Sequence, residues 1–369
     1  MQEKSSDRSF LLETSPTYNK NRLFSLDLLK ALSITAVVSF HSLVLPKITY
    51  ASSQLAIDTL FSPLRFCVPV FLTIYFLLFE KELVKHPVFT WTTLYKRLNR
   101  LLIPTVFWFL VTASLKLINR NPLLEVIASI FNGEIFTGAY YLLIIIQFIP
   151  VFILLRSWLN KLLTLIITIC LQGLVFIYIY SIPFMPDHDY ILEGLRIINR
   201  PLFIYWFVYM AFGAFFWKKW SFIVELSKKI PISLKIFLLT SYSLIQFFEF
   251  RWSFLIFKSE IPPFEYVNFS CMLSVVVLFL CFASIQENQF PIYIQKLVSL
   301  LSKYCLGIFC INGIICQILS SICLQLFAEA RFNFYEILSL KLILWFLLLA
   351  ISLSLSILLN CVGLKAVVR

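Results

Sequence analysis

His41 is the only histidine of the chain that falls inside a membrane-length apolar run, residues 26–45. Lys30, eleven positions earlier, is ionisable too and shares that run. Eleven helical steps of about 100° end about 20° past three full turns, so both side chains share one helix face, about 16 Å apart along the axis. Ionisable groups inside a bilayer are costly and mostly face a protein interior or a water-filled cavity, so the default reading is functional. A neutral imidazole near pH 7 takes a proton from a hydroxyl and is a candidate general base. A cation at one depth and a base half a membrane further in fit a site that holds an anion and does base chemistry above it. The bland alternative for His41 is a buried histidine bonded to a carbonyl of a neighbouring helix.

The second constellation is Arg97-Leu98-Asn99-Arg100, followed by Pro104. Arginines three apart share a helix face, and their planar forks suit phosphate oxygens better than ammonium groups do. Tyr95 and Lys96 add an aromatic ring and a third cation. Two arginines at a cytoplasmic helix end are also what topology alone demands. Asp27 and Lys30, one turn apart, read equally as part of a site or as an interfacial ion pair.

The elements that must hold these residues are membrane helices. The 369 residues are 60% hydrophobic and 14% charged, with a mean hydropathy of +0.89. A soluble domain carries about 25% charged residues, so the chain is all-α, a polytopic transmembrane helical bundle. Windows of about 20 apolar residues centre on 26–45, 60–79, 101–118, 139–155, 162–180, 202–217, 232–248, 268–285, 304–324 and 340–360. The fourth, sixth and seventh of these ten are short. Ten spans put both termini on one side. With the N-terminus inside, inner segments hold 20 basic residues and outer segments nine, which predicts cytoplasmic termini by the positive-inside rule. The expected division is a polar segment 1–22, a membrane domain 23–362 and a cytoplasmic tail 363–369. Residues 1–21 lack an apolar core, so no cleaved signal peptide is expected.

Net charge is +12, but the basic residues sit in short loops between apolar runs, which argues for topology and against nucleic acid. Nine cysteines fall in or at the ends of apolar runs without metal-ligand spacing, and are expected to be inert buried thiols rather than metal ligands.

The stretch from Asn21 through Leu26-Asp27-Leu28-Leu29-Lys30 to Phe40-His41 resembles the opening of the bacterial membrane acyltransferase-3 family, a basic residue followed by ten positions and a histidine. Arg97 and Arg100 resemble its Arg-x-x-Arg, with Ile103-Pro104 following as in its usual pattern. Val68-Pro69-Val70-Phe71 resembles its second-helix start, and Tyr205-Trp206-Phe207 through Gly213 its mid-chain aromatic-to-glycine helix. The resemblance runs from residue 21 to about 360. It implies transfer of an acyl group, usually acetyl, from acyl-CoA to a hydroxyl of a cell-envelope glycan or lipid-linked saccharide at the bacterial cytoplasmic membrane. His41 would then be catalytic and Lys30, Arg97 and Arg100 would bind the donor, with Asp27 and Asn312 in support. Acetyl-CoA or another acyl-CoA is a co-substrate, and no bound cofactor or metal is implied.

Two departures stand out. Tyr75-Phe76 replaces the family's Ser-Gly, which puts close backbone approach there in doubt. Gly307-Ile308-Phe309-Cys310-Ile311-Asn312 resembles a pattern ending in histidine, and Asn312 hydrogen-bonds but does not titrate. Outside the resemblance, Asp187-His188-Asp189 with Glu193 would bind a metal or sugar hydroxyls if it were more than a solvated acidic loop. Tyr140-Tyr141 and Gln147 would line a cavity or form an aromatic belt, and Arg65 needs a partner. A transporter or flippase using Lys30 and His41 as a proton relay is the alternative class. Its usual inverted repeats and Gly/Pro-broken helix pairs are not visible.

Overall fold

Lys30 and His41 ride on one uninterrupted helix, α1 (Phe24–His41), and the fold is arranged around it. The computed structural model describes residues 23–85, 91–186, 188–197, 200–257 and 264–369, with the backbone alone at 91–93 and 197. Asn21, the polar segment 1–22 and Asp187 lie outside the described residues. The further apolar helices are α2 (Cys67–Lys85), α3 (Trp91–Ile118), α4 (Tyr140–Leu159), α5 (Leu162–Ser181), α6 (Phe207–Lys218), α7 (Ile232–Ile256), α8 (Phe269–Phe282), α9 (Cys305–Leu326) and α10 (Phe334–Cys361). All regular elements among the described residues are helical.

Eight of the ten are long and apolar enough to cross a membrane, α2 doing so together with the preceding Gln54–Phe61 helix. The two shorter apolar helices are α6 and α8, at the sixth and eighth expected positions. The fourth and seventh, expected to be short, are full-length at 20 and 25 residues. Charged residues toward their C-terminal ends, Arg156 in α4 and Glu249 and Arg251 in α7, hide their true length from an apolar window.

Burial sorts the helices into layers. The α1 window is 67% buried, whereas that of α7 is only 11% buried. The helix with Lys30 and His41 is therefore central, and α7, α10 and α5 present leucine, isoleucine and phenylalanine outward. Cys170 and Cys361 are exposed on that outer surface, unlike the buried Cys67, Cys271, Cys281, Cys310 and Cys316.

α2 and α6 pack closest. A Cβ on Gly213 of α6 would stand 2.6 Å from Phe76 Cβ and 2.7 Å from the Thr73 carbonyl. The close approach that Tyr75-Phe76 puts in doubt is thus supplied by the facing helix. Beyond it, Phe76 stacks on Phe152 of α4 at 5.1 Å, and Phe79 does so at 5.2 Å. Glu80 of α2, 2% exposed, holds the same pair of helices by accepting from Arg156 Nε at 2.8 Å and from Asn160 Nδ2 at 3.2 Å. Glu80 is the buried member, so removing Arg156 would leave its carboxylate short of a partner.

Candidate functional site

A cavity of about 420 Å³ opens among α1, α2, α3, α4 and α9. Lys30, Arg97 and Arg100 all line it. Topology explains the meeting: the start of α1, the end of α2 and the starts of α3 and α9 lie at one end of the bundle, here the basic face. Lys303 and Arg369 join them in the lining, and Glu82 is the one acid.

Arg97 is held in place. Its Nη1 donates to Glu82 Oε2 at 2.6 Å, its guanidinium lies 5.1 Å from the centroids of both Tyr75 and Phe79, and its Nε is buried without a partner. Tyr75, where the family pattern has a small residue, therefore forms both a cavity wall and the stacking face for Arg97. Arg100, one turn on, is exposed at the mouth. Pro104 lies inside α3 and cannot donate to the Arg100 carbonyl, so the helix loosens at the arginine pair. Asp27 does not line the cavity but accepts at 2.5 Å from Oγ of Ser302, which does. Lys30 turns into the cavity.

His41 is not in the cavity lining. Val37, one turn before it on the same face, lines the far wall with Tyr141 and Phe309, whose rings stand 5.5 Å apart. Phe309 and His41 meet across Gly138: a Cβ there would lie 3.1 Å from the Phe309 ring and 3.3 Å from His41 Cε1. Gly138 has φ +91°, where an L side chain is strained, so both backbone and space select glycine. The imidazole thus sits one aromatic ring beyond the end of a cation-mouthed cavity.

Asn312 of α9 faces His41, with Nδ2 2.6 Å from Nδ1, and Cys316 Sγ donates to Asn312 Oδ1 at 3.4 Å. Asn312 is fully buried. His41 itself is half-buried. The carbonyl two residues before it, that of Ser39, accepts from Lys341 Nζ of α10 at 2.5 Å, and that ammonium lies 4.4 Å from the Phe61 centroid.

Beyond His41, Arg200 Nη2 donates to Glu265 Oε2 at 2.7 Å and its guanidinium lies 5.5 Å from the Tyr140 centroid. Burial alone would raise the Glu265 carboxyl, but Arg200, and behind it Arg65, hold it down at about 2. Glu265 in turn raises the Arg200 guanidinium further above its ordinary value. Arg65, 5% exposed, is sandwiched between Phe40 at 5.1 Å and Phe250 at 4.6 Å. Asp58 and Glu265 are the acids whose fields reach it.

Other candidates separate from this centre. Asp189 is exposed and its Oδ1 lies 3.2 Å from Nε2 of the adjacent His188. Among the described residues no group of three or more His, Cys, Asp or Glu side chains is arranged to hold a metal ion. Gly138, Lys303 and Arg369 escaped the sequence reading. Gly138 did carry a signal, being one of only eight glycines and standing just before Tyr140-Tyr141. Lys303 and Arg369 carried none, because each looks like another positive-inside charge.

Residues 23–361 match the acyltransferase-domain profile of the acyltransferase-3 family. No curated protein matches the chain. No solved structure matches it either. The match covers nearly the whole sequence, and the chain belongs to the acyltransferase-3 family.

Proposed function

We propose that this multi-pass membrane acyltransferase moves an acyl group, acetyl in the usual case, from acyl-CoA to a hydroxyl of a cell-envelope glycan or lipid-linked saccharide. The observation that carries this reading is the cavity itself. Its mouth gathers Lys30, Arg97, Arg100, Lys303 and Arg369 against Glu82, and its walls of valine, leucine, tyrosine and phenylalanine lead toward His41. Phosphates of a coenzyme A carrier suit the cations, and a pantetheine arm with its thioester suits the apolar bore. The basic residues favour the cytoplasmic side of a bacterial cytoplasmic membrane for that mouth.

The chemistry then follows from the far end. With the Asn312 amide turned so that its oxygen holds Nδ1–H, His41 Nε2 takes the proton of the acceptor hydroxyl as the oxygen attacks the thioester carbonyl. The tetrahedral intermediate collapses with cleavage of the carbon–sulfur bond, and the imidazolium returns its proton to the departing thiolate. A new ester and free coenzyme A result, and His41 is restored. Arg200 and Lys341 are the cations whose fields reach the imidazole, with Glu265 the acid.

Purified protein given radiolabelled acetyl-CoA and a candidate acceptor should release coenzyme A and place the label in an ester that mild alkali removes. Thioester left intact across acceptors of every envelope class, with labelled solute crossing a proteoliposome membrane instead, would replace this reading by the transport alternative.

A further inference from the structure

After α10 the chain turns back at Gly363, φ +90°, and forms one short turn of helix, Lys365–Val368, that re-enters the bundle. Val367 and Val368 are 5% and 0% exposed. The carbonyl of Val367 accepts from Trp108 Nε1 of α3 at 2.9 Å, which latches the returning segment to the helix that carries Arg97 and Arg100. This strap places Arg369 in the cavity lining. There its Nη2 donates to Tyr304 Oη at 2.8 Å, its guanidinium lies 4.9 Å from the Tyr304 centroid, and its Nε is buried with no partner.

Arg369 is half-buried, but its Nε–H is shut off from solvent, and a buried N–H is costly unless something accepts from it. Among the described residues no Asp or Glu side chain pairs with Arg369, and Glu82, the acid of the lining, is engaged by Arg97. Tyr304 restrains the fork without neutralising it. The arrangement suits an anion. Five cations facing one acid also match a ligand with several phosphate charges better than one with a lone carboxylate.

We propose that Arg369 is a donor-binding residue, delivered by the Lys365–Val368 strap to take a phosphate group of the coenzyme A carrier. The proposal rests on acyl-CoA being the donor. It adds a cation from the far end of the sequence to the three on α1 and α3.

The test measures binding of coenzyme A itself to purified protein, alongside transfer kinetics, for Arg369→Gln, Arg369→Lys and Arg97→Gln. Arg369→Gln should weaken coenzyme A binding and raise the acyl-CoA KM by roughly tenfold, the scale of a lost charge-assisted hydrogen bond. The kcat and acceptor KM should hold. Arg369→Lys keeps charge and packing but loses the fork, and should fall between. Repeating the measurement with 3′-dephospho-coenzyme A identifies the partner. A Gln penalty that vanishes marks the 3′-phosphate and one that persists marks the pyrophosphate, and either supports the assignment. Normal coenzyme A binding by Arg369→Gln beside weakened binding by Arg97→Gln would overturn the role of Arg369 alone. Wild-type protein that binds no coenzyme A would overturn the donor reading and this assignment with it.

Discussion

His41 and Asn312 meet nitrogen to nitrogen, Nδ1 to Nδ2, 2.6 Å apart, and that contact decides whether the histidine is a base. With Nδ2 donating to Nδ1, the ring proton sits on Nε2 and no lone pair is left for a substrate. A half-turn of the amide brings Oδ1 to Nδ1–H and leaves Nε2 free to accept. Cys316 tolerates either arrangement, since its sulfur both donates and accepts weakly. On the proposed mechanism, the Asn312 amide orientation sets which ring nitrogen of His41 is free to accept.

Substitution at Asn312 should separate these roles. Asn312→Asp offers only acceptors, fixes the proton on Nδ1 and favours the imidazolium, so activity should persist while the pH profile of kcat/KM moves to higher pH. Asn312→Leu leaves the ring unoriented and should lower kcat by roughly ten- to a hundredfold, a share of the hundred- to ten-thousandfold expected for His41→Ala. Coenzyme A binding should survive in all three. An unchanged profile in Asn312→Asp, or near-normal turnover in His41→Ala, would remove the pair from the mechanism.

If Arg97 binds the donor as proposed, Glu82 competes for it. Its carboxylate accepts from Arg97 Nη1 at 2.6 Å and is about half-exposed, so the pair itself adds little stability. Glu82→Gln should release the fork and remove a repulsive charge, lowering the acyl-CoA KM severalfold with little loss of melting temperature. Arg97→Lys and Arg100→Lys should raise that KM by about tenfold while inserting normally, because charge is retained and the bidentate fork is lost. A higher KM in Glu82→Gln would mean that the carboxylate positions Arg97 rather than competing for it.

Much of this centre was legible. The spacing of Lys30 and His41, the Arg97–Arg100 pair and the ten apolar runs are properties of consecutive residues, and periodicity reports them directly. The two helices given too short a span, α4 and α7, have charged residues near their ends, and an apolar window stops at the first of them. What stayed hidden depends on chain return. Nothing in Lys365–Val368 announces a strap that docks on Trp108, and Lys341, at the edge of the 340–360 window, gives no sign of its partner until α10 is seen to begin at Phe334. Whether an ammonium and a backbone carbonyl 302 positions apart meet is a tertiary fact, as in the bond from Lys341 to the Ser39 carbonyl.

Gly138 should be intolerant of even one methyl group. Alanine there would carry φ +91° at a cost of about 1–3 kcal/mol, and its Cβ would press on Phe309 and on His41 Cε1. Displacing a catalytic group by a fraction of an ångström toward 1 Å costs up to about a hundredfold. Gly138→Ala should thus lose roughly ten- to a hundredfold in kcat with donor binding intact, and melt at a lower temperature. Full turnover would show that the imidazole position seen here is not the reactive one.

Acid should act on the Arg200–Glu265 pair in a defined window. The Glu265 carboxyl is depressed from an ordinary 4.5 to about 2, so the folded state binds its proton less readily than the unfolded chain. The pair's contribution is complete above about pH 4.5 and is lost as the pH falls toward about 2. Glu265→Gln should be less stable than wild type at pH 7, by about 1–3 kcal/mol for a lost charged hydrogen bond. Other carboxylates titrate alike in both proteins, so the informative quantity is the difference in unfolding midpoint in detergent, followed from pH 7 to pH 3. That difference should shrink on acidification. Midpoint curves that stay parallel throughout would show that Arg200 contributes nothing to stability through Glu265.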